Sequence, residues 1–155
     1  MTSQNILGLG FTIMLTSFLH AQTPVIFPGG VVDSASFQKA GNAGMPLGYP
    51  ITIFGANLAS ATVSNATLPL PYDLAGTSVT VGDTPAPLYF VSPGQINFQM
   101  PFLQNATSLV VTTASGKSQP FTLTPEAPLA TGIFTRNASG CGPGAVQNVK
   151  ADGSL

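Results

Sequence analysis

Tryptophan is absent from the 155 residues, cysteine and histidine occur once each, and charge is scarce: four Lys or Arg and five Asp or Glu, for a formal net charge of -1. Each scarcity excludes something. Charged residues make up 6% of the chain, against roughly 25% in an average soluble domain. No basic surface can be assembled from so few to neutralise phosphates, so nucleic acid is a poor partner. One cysteine, Cys141, permits neither an internal disulfide nor a thiolate cluster. It reads as a loop residue between Gly140 and Gly142, leaving open a free thiol, an intermolecular bridge or a partner in sequence outside this chain. Long helices are excluded as well. The 17 Gly and 14 Pro punctuate the chain too often, and beyond residue 21 no dozen residues free of them hold the i, i+3, i+4, i+7 apolar spacing. What remains is apolar: 44% of residues are hydrophobic, enough for a packed core and too many for compositional disorder.

The longest apolar run, ILGLGFTIMLTSFL at 6–19, carries no charge and is followed by His20 and Ala21. Fourteen residues are too few to cross a ~30 Å hydrocarbon core as a helix, but they fit the apolar region of a secretory signal cut after Ala21. The start of the chain has no basic side chain and Leu19 is not small, so a buried N-terminal element is the competing reading. With the signal, residues 1–21 are removed, the product is exported, and its location is the cell surface, the medium or the periplasm. No Cys follows the leader, which excludes a lipoprotein anchor, and no later run is long enough to span a membrane stably.

Beyond the leader, short extended segments alternate with turn chemistry. Val31, Val32, Ala35 and Phe37 suggest a first strand. A Gly-rich loop at 39–48 leads to YPITIF at 49–54, halted by Gly55, Ala56 and Asn57. Residues 60–71 read as a polar excursion with Leu68, Leu70 and Leu74 tucked onto the core. SVTV at 78–81 alternates and closes in a tight Gly82-Asp83 turn. LYFV at 88–91, behind Pro85 and Pro87, is expected at a sheet edge, because proline donates no ladder bond. In QINFQM at 95–100, period-2 alternation puts Ile96, Phe98 and Met100 on one face and Gln95, Asn97 and Gln99 on the other. Residues 108–113 and 120–124 pair around a turn at 114–117. The pattern predicts an all-β antiparallel sandwich. Its expected core is Ile51, Ile53, Val79, Val81, Leu88, Phe90, Ile96, Phe98, Leu109, Val111, Phe121 and Leu123.

The order of these pieces resembles immunoglobulin-like IPT/TIG domains, through YPITIFGANL at 49–58, SVTVG at 78–82, QINFQMP at 95–101 and SGKS at 115–118. It is also similar to a C-terminal Ig-like domain family of secreted acidobacterial proteins. That likeness rests on VDSASF at 32–37, IFG at 53–55, PAPL at 85–88, VSPGQINFQMP at 91–101, APLATGIF at 127–134 and GAVQN at 144–148. It covers about residues 30–155. The resemblance implies a fold and a location rather than a reaction. Members of that family carry the unit at the end of a longer protein and continue beyond an Asp-Gly turn into a second Ig-like half. Here Asp152-Gly153 is followed by Ser154 and Leu155 alone, so the copy is expected to be truncated. The expected organisation is a signal peptide at 1–21, a linker at 22–29, an Ig-like sandwich at 30–127 and the start of an incomplete second unit at 128–155.

Without its leader the chain has no histidine, which removes Ser-His and Cys-His nucleophiles and His-bound zinc. No dinucleotide or P-loop glycine motif is present; Gly116-Lys117-Ser118 is a hairpin turn. Of the carboxylates Asp33, Asp73, Asp83, Glu126 and Asp152, a glycosidase needs two facing one another at ~5–9.5 Å, and all five sit where Asp or Glu serves turns. A calcium site needs about six to eight oxygens, more than Asp152-Gly153-Ser154 offers. No metal, cofactor or catalytic residue is expected, and the chain is read as no enzyme. The polar stripe of Gln95, Asn97 and Gln99 beside Tyr89 is the candidate ligand face, with amide pairing on a solvated sheet as the plainer explanation. The leading expectation is an exported structural or interaction module meeting a protein or polysaccharide of the cell envelope, or itself through an unpaired edge strand. The alternative is a carbohydrate-binding module using the Gln95/Asn97/Gln99 face; a carboxylate-dependent glycoside hydrolase comes third. Three glycosylation sequons, at Asn65, Asn105 and Asn137, mark exposed loops.

Overall fold

The computed structural model describes residues 22–39, 46–102, 107–123, 132–147, 149–150 and 154. In chain order its strands are β1 (Val25–Asp33), β2 (Pro50–Ala56), β3 (Val63–Ser64), β4 (Ser78–Val81), β5 (Thr84–Pro85), β6 (Leu88–Val91), β7 (Gln95–Gln99), β8 (Ser108–Thr113), β9 (Gly116–Lys117) and β10 (Phe121–Thr122). They form two sheets of five, every pairing antiparallel. One runs β1-β2-β7-β6-β3; the other runs β10-β8-β4-β5, with β9 also on β8. The all-β sandwich expected from the alternation is the observed architecture. Residues 1–21, expected as a leader, lie outside the described residues. Among the described residues no helix is long and apolar enough to cross a membrane.

Alternation builds the core directly. Ile51 and Ile53 of β2 and Ile96 and Phe98 of β7 turn inward beside Leu88 and Val91 of β6. They meet Val79 and Val81 of β4 and Leu109 and Val111 of β8 from the second sheet. All ten are at 0% exposure, and burying each aliphatic or phenyl side chain stabilises by roughly 1.5–3 kcal/mol. Phe98 is the largest of them. Val31 of β1 and Leu58, beyond the end of β2, join the same cluster.

Four expectations are corrected. Phe90 is only half-buried: between Leu88 and Phe90 the β6–β7 register slips, so Leu88 faces Phe98 but Phe90 faces Asn97. One extra residue flips the side that follows, which moves Phe90 outward and Val91 inward. Phe121 is likewise half-buried, against the edge of the core. Second, β6 is not an edge, since β3 pairs its outer side; the proline rule applies instead to Pro85, which lies in β5 at the end of the second sheet. Third, Leu68 is 79% exposed, while Leu74 packs on the core as expected. Fourth, the first strand begins at Val25, inside the stretch expected as a linker, and stops at Asp33, so Ala35 and Phe37 belong to the following turn. β2 ends where Asn57 takes a left-handed φ of 56°, as its turn chemistry implied. Gly82, at φ 56°, with Asp83 makes the two-residue connection between β4 and β5.

Candidate binding groove on the outer face of the first sheet

The outward residues of β7 and β2 lie side by side, Asn97 opposite Thr52 and Gln95 opposite Phe54. Their polar groups form a directed chain. The Thr52 hydroxyl donates to Asn97 Oδ1 at 3.2 Å, and Gln95 Nε2 donates to the same oxygen at 2.8 Å. Since the one proton of Thr52 is committed, the Ser34 hydroxyl is the donor in its 2.8 Å contact with Thr52 Oγ1. Asn97 Oδ1 therefore carries two acceptor contacts, and the Asn97 amide is locked in one orientation. Its two N–H donors, and the amide oxygen of Gln95, have no partner among the described residues.

The turn after β1 supplies the next element. Asp33 Oδ1 accepts from Ala35 N at 3.0 Å, Ser36 N at 2.7 Å and Ser36 Oγ at 2.8 Å, and Asp33 is 4% exposed. This is an Asx-type turn, in which a short carboxylate stands in for backbone acceptors. The main chain closes with Phe37 N donating to Asp33 O at 2.9 Å, which leaves Phe37 at φ 58°. A left-handed phenylalanine is strained, by about 1–2 kcal/mol, and its ring is 38% exposed.

A second segment covers the same side. Thr135 bridges Gly144, Ala145 N donates to Phe134 O at 2.6 Å and Arg136 N to Pro143 O at 3.0 Å, making a small hairpin. It lies against the Asp33 turn through glycines. A Cβ at Gly132 would stand 2.6 Å from Asp33 Oδ1, and one at Gly140 would stand 2.5 Å from Ser36 O. The segment thereby brings Phe134 to the sheet, 53% exposed.

Together these parts line an open groove of about 410 Å³, inside the roughly 300–1,000 Å³ of small-molecule sites. Phe37, Tyr89 and Phe134 are its aromatic lining; Ser34, Thr52, Gln95 and Asn97 are its polar lining. Among the described residues no carboxylate, amine or guanidinium lines it. Of the four residues read from the sequence as a ligand face, the structure unites Tyr89, Gln95 and Asn97. Gln99 sits apart, its Nε2 donating to Gly48 O at 3.1 Å to hold the loop before β2. Thr52 was legible as the outward neighbour of Ile51 and Ile53. Ser34 and Phe37 lie in the VDSASF run, but nothing in the sequence places Phe134, far along the chain from both, beside them.

The chemistry elsewhere is sparse. Among the described residues no group of three His, Cys, Asp or Glu is placed to hold a metal ion. The Asp33 carboxylate is committed to its turn, and Asp73 Oδ1 accepts from Gly76 N at 3.1 Å. Glu126 and Asp152 lie outside the described residues. Cys141 is exposed, its carbonyl bonded by the Ser139 hydroxyl.

Two facing antiparallel sheets of short strands define an immunoglobulin-like β-sandwich. The family model for the IPT/TIG domain matches residues 36–125, more than half of the chain, and the chain belongs to that family. Domains of this family are as a rule non-enzymatic modules, often in extracellular proteins and often engaged in protein interactions. A crystal structure of an auxiliary nutrient binding protein from Bacteroides thetaiotaomicron is similar at 11% identity and a TM-score of 0.40, over 66% of this chain and 21% of that one. The chain thus spans about a fifth of that protein's length. No curated protein matches it.

Proposed function

We propose that the chain is an exported, non-catalytic Ig-like module, secreted or held at the cell surface, that works by binding a component of the cell envelope in the groove over Thr52 and Asn97. The observation that carries this reading is the groove itself: neutral hydrogen-bonding groups and three aromatic side chains, with no ionised group among the described residues, in a family of generally non-enzymatic modules. Such a surface suits recognition by shape and hydrogen bonding. Export is supported by the apolar run at 6–19, and kinship to the C-terminal domains of secreted acidobacterial proteins by the runs at 32–37, 91–101 and 127–134.

The test is cosedimentation of purified protein with cell-envelope fractions. Wild type is expected to bind and Asn97→Ala to bind about tenfold less, with the circular dichroism of both unchanged. Equal retention of the two proteins, or none of either, overturns the reading. Recovery of secreted protein beginning at Gln22 checks the leader. Self-association is a second reading, favoured by β1, an outermost strand carrying Val25 and Phe27 at 49% and 47% exposure. Light scattering that shows a strict monomer ends it.

A further inference from the structure

The groove is a composite. Residues 36–125 match the IPT/TIG family model, while Phe134 and the glycines that seat it come from beyond that span and Ser34 from before it. We infer that the segment 132–145 is a built wall of the site, and that the occupant is a neutral saccharide, one pyranose ring lying between Phe134, Phe37 and Tyr89 while its hydroxyls meet Asn97 and Gln95. This rests on the groove being the binding surface.

The ligand class follows from what the lining offers and withholds. The described lining holds no ionised group to pair with a phosphate, a carboxylate or an ammonium ion, and their desolvation there would go uncompensated. The polar side offers both signs of hydrogen bond. The Asn97 amide, its oxygen already held by Thr52 and Gln95, presents N–H donors, and the Gln95 amide oxygen presents an acceptor. A sugar hydroxyl both donates and accepts, so vicinal hydroxyls satisfy the two together. A proline-rich peptide has carbonyls but few N–H groups and would strand the Gln95 oxygen, at the cost of an unmade bond. The aromatic side suits the C–H faces of a pyranose. Phe37 is held at a left-handed φ of 58°, and Gly132 and Gly140 pack too closely on the turn at Asp33 and Ser36 to admit a Cβ, so both loops are fixed where they carry these rings.

The experiment titrates the full chain with neutral hexasaccharides of glucose, xylose, mannose and N-acetylglucosamine, and separately with a polyproline peptide. Calorimetry and the aromatic NMR shifts of Tyr89 and Phe134 are followed at low and high salt. At least one hexasaccharide is expected to bind with salt-independent affinity and to shift both rings. Phe134→Ala and Asn97→Ala should each weaken it about tenfold. Wild-type ring shifts carry the test even where a variant fails to fold. Binding that leaves Phe134 unshifted overturns the composite wall. No saccharide binding, or binding of polyproline alone, overturns the ligand class; envelope binding sensitive to Asn97→Ala would then still stand, and its loss as well would remove the groove as the functional surface.

Discussion

Gly132 stands against the carboxylate of Asp33 so closely that a β-carbon would lie 2.6 Å from Oδ1 and 2.7 Å from the backbone nitrogen of Ser36. The turn after the first strand and the segment that delivers Phe134 meet at this point. Neither neighbour can yield freely, because the oxygen is held by three hydrogen bonds and the nitrogen is backbone. Gly132→Ala is therefore expected to lift the 132–145 segment from the sheet while the sandwich stays folded. Faster amide exchange at 134–145, with protection in β2 and β7 unchanged, is the measurement that checks it.

Asp33 itself should be costly to remove. Asp33→Ala orphans the buried Ala35 amide and the Ser36 amide and hydroxyl, and a stranded buried donor costs about 1–3 kcal/mol. Asp33→Asn keeps an acceptor oxygen, so urea unfolding should show a much smaller loss. Equal losses for the two variants would mean that the charge, not the hydrogen bonds, holds the turn.

The slip in β6 gives two phenylalanines of nearby sequence very different weights. Phe98 is fully enclosed, and Phe98→Ala is expected to cost about 3–5 kcal/mol. Phe90, turned outward opposite Asn97, should cost far less as Phe90→Ala. Equilibrium unfolding of the pair tests the register directly, since unbulged alternation would make the losses similar.

Ser118 completes a ladder that the backbone alone leaves open. Its amide donates to Val111 O at 2.8 Å, and its hydroxyl accepts from Val111 N at 3.0 Å, in a site 6% exposed. Ser118→Ala leaves that amide unmatched, for about 1–3 kcal/mol. Ser118→Thr, which keeps the hydroxyl, should recover part of the loss in the same thermal melts.

The two amides of the groove illustrate what was legible in the chain. Gln95 and Asn97 sit on a strict alternation bounded by Pro93-Gly94 and Pro101, so their shared face follows from period-2 geometry without any partner strand. The inward set Ile96 and Phe98 follows in the same way, as do Val79 with Val81 and Leu109 with Val111. Phe90 was misplaced because a bulge is decided between strands: LYFV alternates on paper, and only pairing against Asn97 and Phe98 reveals the extra residue. Gln99 was assigned to the ligand face by alternation alone, which cannot say that a loop carbonyl, Gly48 O, lies within its reach.

By itself the sequence determined the class of fold: frequent Gly and Pro and alternating apolar residues beyond residue 21 admit short strands around one core and no long helix. Those are local properties, set by side-chain periodicity and backbone allowance within a few residues. Which residues share a surface was decided only by the tertiary structure. Register, the bulge at β6 and the seating of Gly132 on Asp33 depend on steric fit between segments far apart in the chain, and no window of sequence contains that fit.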